Sequence, residues 1–198
     1  MVRPATAAAA FAALGLGFAQ PAAAAEEWAI DQSHAHILFF VNHFGMSDIQ
    51  GEFLEFDGTF TLDTEAPENS SVEVTIDVSS LDTGWAARDE HLLNADFFDA
   101  EQYPTITFTS TGVEVIGEET ALVTGDLTVK DTTRPVTLEV TLNGLADDHP
   151  MMEGTQRHAG FSASARVLRS DFGVDMFAPA VSDEVEIRIE LEATGPAS

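Results

Sequence analysis

The sequence predicts an all-β chain, an antiparallel barrel of about eight strands with one short helix inserted near 84–94. Three observations lead there. Many segments alternate apolar and polar residues with a period of two. Turn-forming residues separate them, as at Asp57-Gly58 and Asp131-Thr132-Thr133. One stretch breaks the alternation and favours helix. Successive side chains of a strand point to opposite faces, so each alternating segment has one buried and one wet face. A sandwich would satisfy the same pattern, but closure into a barrel leaves no long edge open to aggregation.

The elements follow in chain order. Residues 1–25 read as a secretory signal peptide, with Arg3 as the charged start, an apolar run from Ala5 to Ala19, and a small-residue cleavage site at Ala23-Ala24-Ala25. The run is too short to span a bilayer, which takes ~20 residues of helix. No later apolar run reaches that length, so the chain is expected to have no integral membrane segment after cleavage and to work in the periplasm or outside the cell. Strands are expected at 35–44 and 52–62. In the next, Val72, Val74, Ile76 and Val78 alternate with Glu73, Thr75 and Asp77. Ala86, Ala87, Leu92 and Leu93 then favour the helix, with Asp82 or Thr83 as its cap. Strands follow at 104–115 and 121–130. Val136, Leu138, Val140 and Leu142 alternate with Thr137, Glu139 and Thr141. After a long loop at 143–160, in which Met151 and Met152 offer a flexible apolar pair, come strands at 160–169 and 185–191. No repeat or linker divides residues 26–198, which form one domain.

Composition narrows the function. The chain has 198 residues, 34 acids, 8 Lys plus Arg, and a formal charge of −26. Such a surface repels nucleic acid phosphates and anionic lipid headgroups. Absence of cysteine excludes disulfides, thiolate nucleophiles and zinc-thiolate sites. No G-x-S-x-G elbow, H-E-x-x-H pair or Walker loop is present. The acidity suits a protein kept soluble in high salt, where self-repulsion is screened.

A set of short blocks carries a resemblance over Trp28 to Thr194. They are Ile30-Asp31 with His34-Ala35, His43-Phe44-Gly45, Gly51-Glu52-Phe53, Phe56-Asp57-Gly58, Arg88-Asp89-Glu90-His91-Leu92, Asp96-Phe97-Phe98, Thr107-Phe108-Thr109-Ser110, Gly125-Asp126-Leu127-Thr128 and Arg169-Ser170-Asp171-Phe172-Gly173. Their order and spacing resemble the YceI-like family of secreted lipid-binding proteins. That resemblance implies a lipocalin-like barrel with a lengthwise apolar cavity, a polyisoprenoid, quinone or other long-chain amphiphile as ligand, and no catalytic activity. Family members often carry a glycine and a lysine in the turn after the Gly-Asp-Leu-Thr block. Here the turn is Lys130-Asp131-Thr132-Thr133-Arg134-Pro135, a change expected to alter only turn geometry.

The candidate cavity wall is the apolar face of the strands: Ile37, Phe39, Val41, Phe60, Val74, Ile76, Ile106, Phe108 and Phe161. The helical segment adds Trp85, Leu92 and Phe97. Periodicity alone equally describes a barrel filled by these side chains, as in a stress-response protein; the resemblance favours a cavity. Fourteen phenylalanines against one tyrosine suit an apolar tunnel, because Phe brings area without a polar group to satisfy. A head group would be met by Arg88, Asp89, His91 or His43, unless Arg88 and Asp89 merely form a structural ion pair. His34 and His36, two apart, would share a strand face and could join His43 or His91 around a metal; a hydrogen-bonded role is the preferred reading, so neither metal nor cofactor is expected. An enzyme acting on a long-chain lipid would need His43, His91 and Asp89 to converge. The sequence leaves monomer and homodimer open.

Overall fold

The computed structural model describes residues 25–148 and 156–197. All but the last residue of the signal peptide expected at 1–25, and the Met151-Met152 pair, lie outside the described residues.

Among the described residues, eleven strands form one antiparallel sheet. They are β1 (Glu26–Ile30), β2 (His36–His43), β3 (Ser47–Phe53), β4 (Phe56–Leu62), β5 (Ser71–Asp77), β6 (Leu81–Asp82), β7 (Thr105–Val115), β8 (Thr120–Val129), β9 (Thr132–Ala146), β10 (His158–Leu168) and β11 (Val181–Thr194). The sheet closes because β1 pairs with both β4 and β11. The short strands are broken halves of longer staves. β1 and β2 both lie along β11. β2 pairs β3 while β1 pairs β4, so β3 and β4 continue one another around a corner at Leu54-Glu55. β5 and β6 likewise flank a 3₁₀ turn and pair β4 and β3. Counted as staves, the barrel has the eight antiparallel members that the alternation predicts, each beside its neighbour in sequence.

Local departures from the expected elements have physical causes. The strand expected at 52–62 bends at Leu54-Glu55, where the Leu54 N–H bonds Ser80 O at 3.2 Å and the Asp77 N–H bonds Glu55 O at 2.9 Å. Asp57-Gly58 is not a turn but lies inside β4. A Cβ on Gly58 would sit 2.3 Å from the Glu73 carbonyl, so glycine permits the close approach of β5. The Asp131-Thr132-Thr133 turn shrinks to Lys130-Asp131, since Thr132 already pairs Val129. β9 starts earlier than its alternation suggests and runs through Pro135. It does so where β10 is not yet paired, since that ladder begins at Glu139, and a residue without an N–H is tolerated there. β9 and β10 also shorten the loop expected at 143–160.

Among the described residues one α-helix, α1 (Ala86–Leu93), follows β6 and sits within the span expected for it. Its N-cap is Trp85 and makes no side-chain cap bond, so neither Asp82 nor Thr83 caps it. Instead Asp89, inside the first turn, accepts the Thr83 N–H at 2.9 Å. At this end of the barrel α1 packs Leu92 and Leu93 against a core that includes Phe53, Val78, Phe97, Val129 and Phe172. At the other end a smaller core gathers Trp28, Phe60, Ala159 and Ala193. Lys130, the only lysine of the chain, has φ of 57°. Its Nζ donates to Phe97 O at 3.0 Å and Gly173 O at 3.3 Å. The Lys130 turn therefore does more than alter turn geometry: it ties the segment after α1 to the 3₁₀ turn at Arg169–Phe172.

Candidate functional site

The barrel is hollow along its larger core, whose Phe53, Ile76, Phe108 and Leu138 all face the void. A cavity of about 570 Å³ runs inside it, within the ~300–1,000 Å³ typical of ligand sites. Packed interiors hold few voids larger than a water molecule, so this is not a barrel filled by its own side chains.

The wall is built by alternation. Ile37, Phe39 and Val41 of β2 face inward at every second position, as do Val74 and Ile76 of β5 and Ile106 and Phe108 of β7. Phe60, Phe161, Leu92 and Phe97 complete the predicted part. Two predicted residues stand elsewhere. Trp85, the N-cap of α1, is exposed to solvent and does not line the cavity. Asp89 faces Thr83 rather than the cavity. The wall also takes Val123 and Leu127 from β8, Val136, Leu138 and Val140 from β9, Ala163 from β10, and Ile187 and Ile189 from β11. The same period-two pattern marks most of these.

The polar groups divide between the ends. At the α1 end the lining includes His43, Arg88, His91 and Arg169; toward the other end it includes Glu118, Glu119 and Glu190. Arg88 does not pair with Asp89. Both grip Thr83: Arg88 Nε donates to Thr83 Oγ1 and Nη2 to Thr83 O, each at 2.7 Å, while Thr83 Oγ1 donates to Asp89. This fork fixes the guanidinium, and Nη1 has no bonded partner among the described residues. Planar donors held in place suit an oxygen-rich head group.

Arg169 was not singled out by sequence reasoning. It is only 8% exposed and donates to four carbonyls: Val174 O, Met176 O at 2.9 Å, Val181 O at 3.0 Å and Ser182 O at 2.8 Å. Burial lowers its pKa from the usual value, opposed by Asp183 and Asp175. Its block in the sequence was visible, but nothing in alternation signals a buried cation stapling a loop.

The four candidate histidines, His34, His36, His43 and His91, do not gather around one point among the described residues. His34 ends a 3₁₀ turn (Gln32–His34), so it shares no strand face with His36, which starts β2. His34 Nδ1 lies 2.9 Å from Asp31 Oδ2, and His36 Nδ1 lies 2.7 Å from Glu52 Oε1. Bonds from Ser33 and from His34 lower the Asp31 pKa to about 2, and the Asp31 bond raises that of His34. Glu192 is exposed and lies beside half-buried Asp31 and exposed His34, and the short contacts of the last two are those of a hydrogen-bonded turn. For acid–base work, His91 has Asp96 at 3.8 Å, not Asp89, as its carboxylate neighbour. His43, His91 and Asp89 therefore do not form a converged set.

The chain is similar to known proteins of one kind. The YceI-like domain matches residues 28–193. Protein YceI of Escherichia coli O157:H7 is 41% identical over 179 residues, covering 89% of this chain and 91% of that protein. The crystal structure of BcnA from Burkholderia cenocepacia superposes with a TM-score of 0.73 at 27% identity, covering 83% of this chain and 99% of that one. A polyisoprenoid binding domain from Saccharophagus degradans shares the fold, with a TM-score of 0.63 at 13% identity over 87% of this chain and 99% of that one.

Proposed function

The chain belongs to the YceI-like family, and on that premise we propose that it is an exported carrier that shields a long-chain isoprenoid-type lipid, a polyisoprenoid or a quinone, inside its barrel. The observation that supports this best is the apolar cavity of about 570 Å³. Free isoprenoid chains leave water for membranes or aggregates, so a dry tunnel is a physically useful container in an aqueous compartment. Binding, not catalysis, is the work assigned to it.

Burial contributes ~0.8 kcal/mol per carbon, so a tail is held by length and recognised coarsely. Selectivity then falls to the head group, which we place at the α1 end beside Arg88, His43 and His91. The wall residues named above would hold the tail. The signal peptide at 1–25 supports export to the periplasm or beyond.

The test is mass spectrometry of organic extracts from protein purified from its native compartment, followed by titration with a fluorescent isoprenoid. A stoichiometric long-chain lipid is expected. Protein that is empty and also refuses added isoprenoid would sink the carrier reading.

A further inference from the structure

We propose that the mouth at the α1 end of the barrel docks on the surface of a lipid bilayer, where the cavity is loaded and unloaded. This rests on the reading of the cavity as a lipid site.

Three segments border that mouth: residues 43–47 at the β2–β3 turn, 85–88 at the start of α1, and 176–181 before β11. Each presents an apolar side chain to solvent. Met46 is 86% exposed, Trp85 64%, Phe177 55% and Phe44 52%. The segments are held together. The Phe44 N–H donates to Ala180 O at 3.0 Å. The Phe177 ring lies 6.2 Å from that of His91 on α1, and Arg88 Cζ lies 5.8 Å from the Trp85 ring centre. Phe44 and Phe177 have φ of 57° and 65°, a left-handed backbone that bulky residues seldom adopt. Aromatic side chains thus occupy turn tips where glycine or asparagine would be cheaper in strain, which points to a role outside the fold.

Charge decides what covers this rim. The chain carries 34 acids, yet none lies in 43–47, 85–88 or 176–181. The carboxylates that flank these windows are Asp48, Asp82, Asp89, Glu90 and Asp175. Most of them are engaged with the protein: Asp48 accepts from Asn42 Nδ2, Asp82 from the Gly84 N–H and Asp89 from the Thr83 N–H, while Asp175 acts on the buried Arg169. The opposite end differs. Its loops carry Glu65, Glu68, Glu118 and Glu119, and among the described residues the large apolar side chains exposed there, Val115, Ile116 and Leu145, include no aromatic. Aromatic rings are favoured at the depth of lipid headgroups, and carboxylates resist being carried there. A second copy of the chain would bring another −26 charge against the first, so a bilayer is the favoured occupant. The same charge selects zwitterionic over anionic lipid.

Trp85 reports the docking. Trp28 is 1% exposed and silent to aqueous quenchers, whereas Trp85 is open to them. With vesicles of phosphatidylcholine free of isoprenoid, the purified protein is expected to show a blue shift and to lose most of its acrylamide quenching. Phe44→Ser with Met46→Ser is expected to weaken vesicle partition at least tenfold. Neither residue lines the cavity, so isoprenoid added from organic solvent should fill the variant as it fills the parent, and the melting curve should hold. Absence of a spectral change, a variant that partitions like the parent, or burial of Trp85 in a concentration-dependent dimer would overturn the docking. Protein that fills from solvent but ignores vesicles loses only the docking. Protein that docks on vesicles but takes up no isoprenoid keeps the docking and loses the cargo reading.

Discussion

Ala163 stands on β10 between Val140 and Ile189, and all three line the cavity. Ala163→Trp projects an indole into the void and separates a hollow barrel from a packed one. Tryptophan carries about nine more heavy atoms than alanine, close to two isoprene units, and each unit of five carbons contributes ~4 kcal/mol gross at ~0.8 kcal/mol per carbon. Ordering costs offset much of that. A net loss of ~3 kcal/mol weakens binding on the order of 100-fold. Stability should hardly move, because the ring enters empty space. In a well-packed core the same substitution would cost ~1–3 kcal/mol, a fall in Tm of about 2–12 °C for a chain of this length. Isoprenoid titration and a melting curve on the same sample decide the matter. A large fall in Tm with no change in affinity would refute the reasoning, since it would mean that the barrel is full and the ligand sits elsewhere.

Replacing Arg169 by Met leaves four backbone carbonyls without their donor, so urea unfolding should show a loss above about 3 kcal/mol, with Arg169→Lys falling between the two; an unchanged midpoint would mean the staple is idle. The Asp31–His34 pair gives stability a two-sided pH profile. Asp31 is depressed from 3.8 to about 2 in the fold, so its contribution is present above pH 3.8 and lost as pH falls toward 2. His34 is raised above 6.5, so its contribution is full below pH 6.5 and lost as pH climbs through the raised value. In thermal melts across pH, Asp31→Asn should flatten the acid limb and His34→Ala the alkaline one, both modestly because His34 is exposed to solvent screening. At −26, NaCl should raise Tm by screening self-repulsion; a flat or falling series up to molar salt would count against the high-salt reading of the acidic surface.

The staves of the barrel were legible because period-two alternation survives in each of them, even where the chain is broken. Val72 to Ile76 show it over almost all of β5, and Val185 to Leu191 over the middle of β11. The breaks themselves were not legible. Leu54-Glu55 is a corner only because β2 and β1 take different stretches of the partner strand, a long-range pairing with no local mark. β1 and β6 are too short to show a period. Asp57-Gly58 looked like a turn because glycine serves both turns and close strand approaches, and only the position of the Glu73 carbonyl distinguishes them. Among polar site residues, Arg88 was readable as a cation beside a helix start, but its grip on Thr83 instead of Asp89 depends on how α1 sits over β6.

The sequence by itself determined the fold class, the inward face of each strand, the place of the helix and the acid-rich surface, since each rests on neighbours a few positions apart. Whether the inward faces meet or stand apart was decided by the tertiary structure alone. Periodicity says which side chains point inward; the closure of eight staves into a ring sets the distance across it. The same closure collects Phe44, Trp85 and Phe177, far apart in the chain, at one mouth of the barrel.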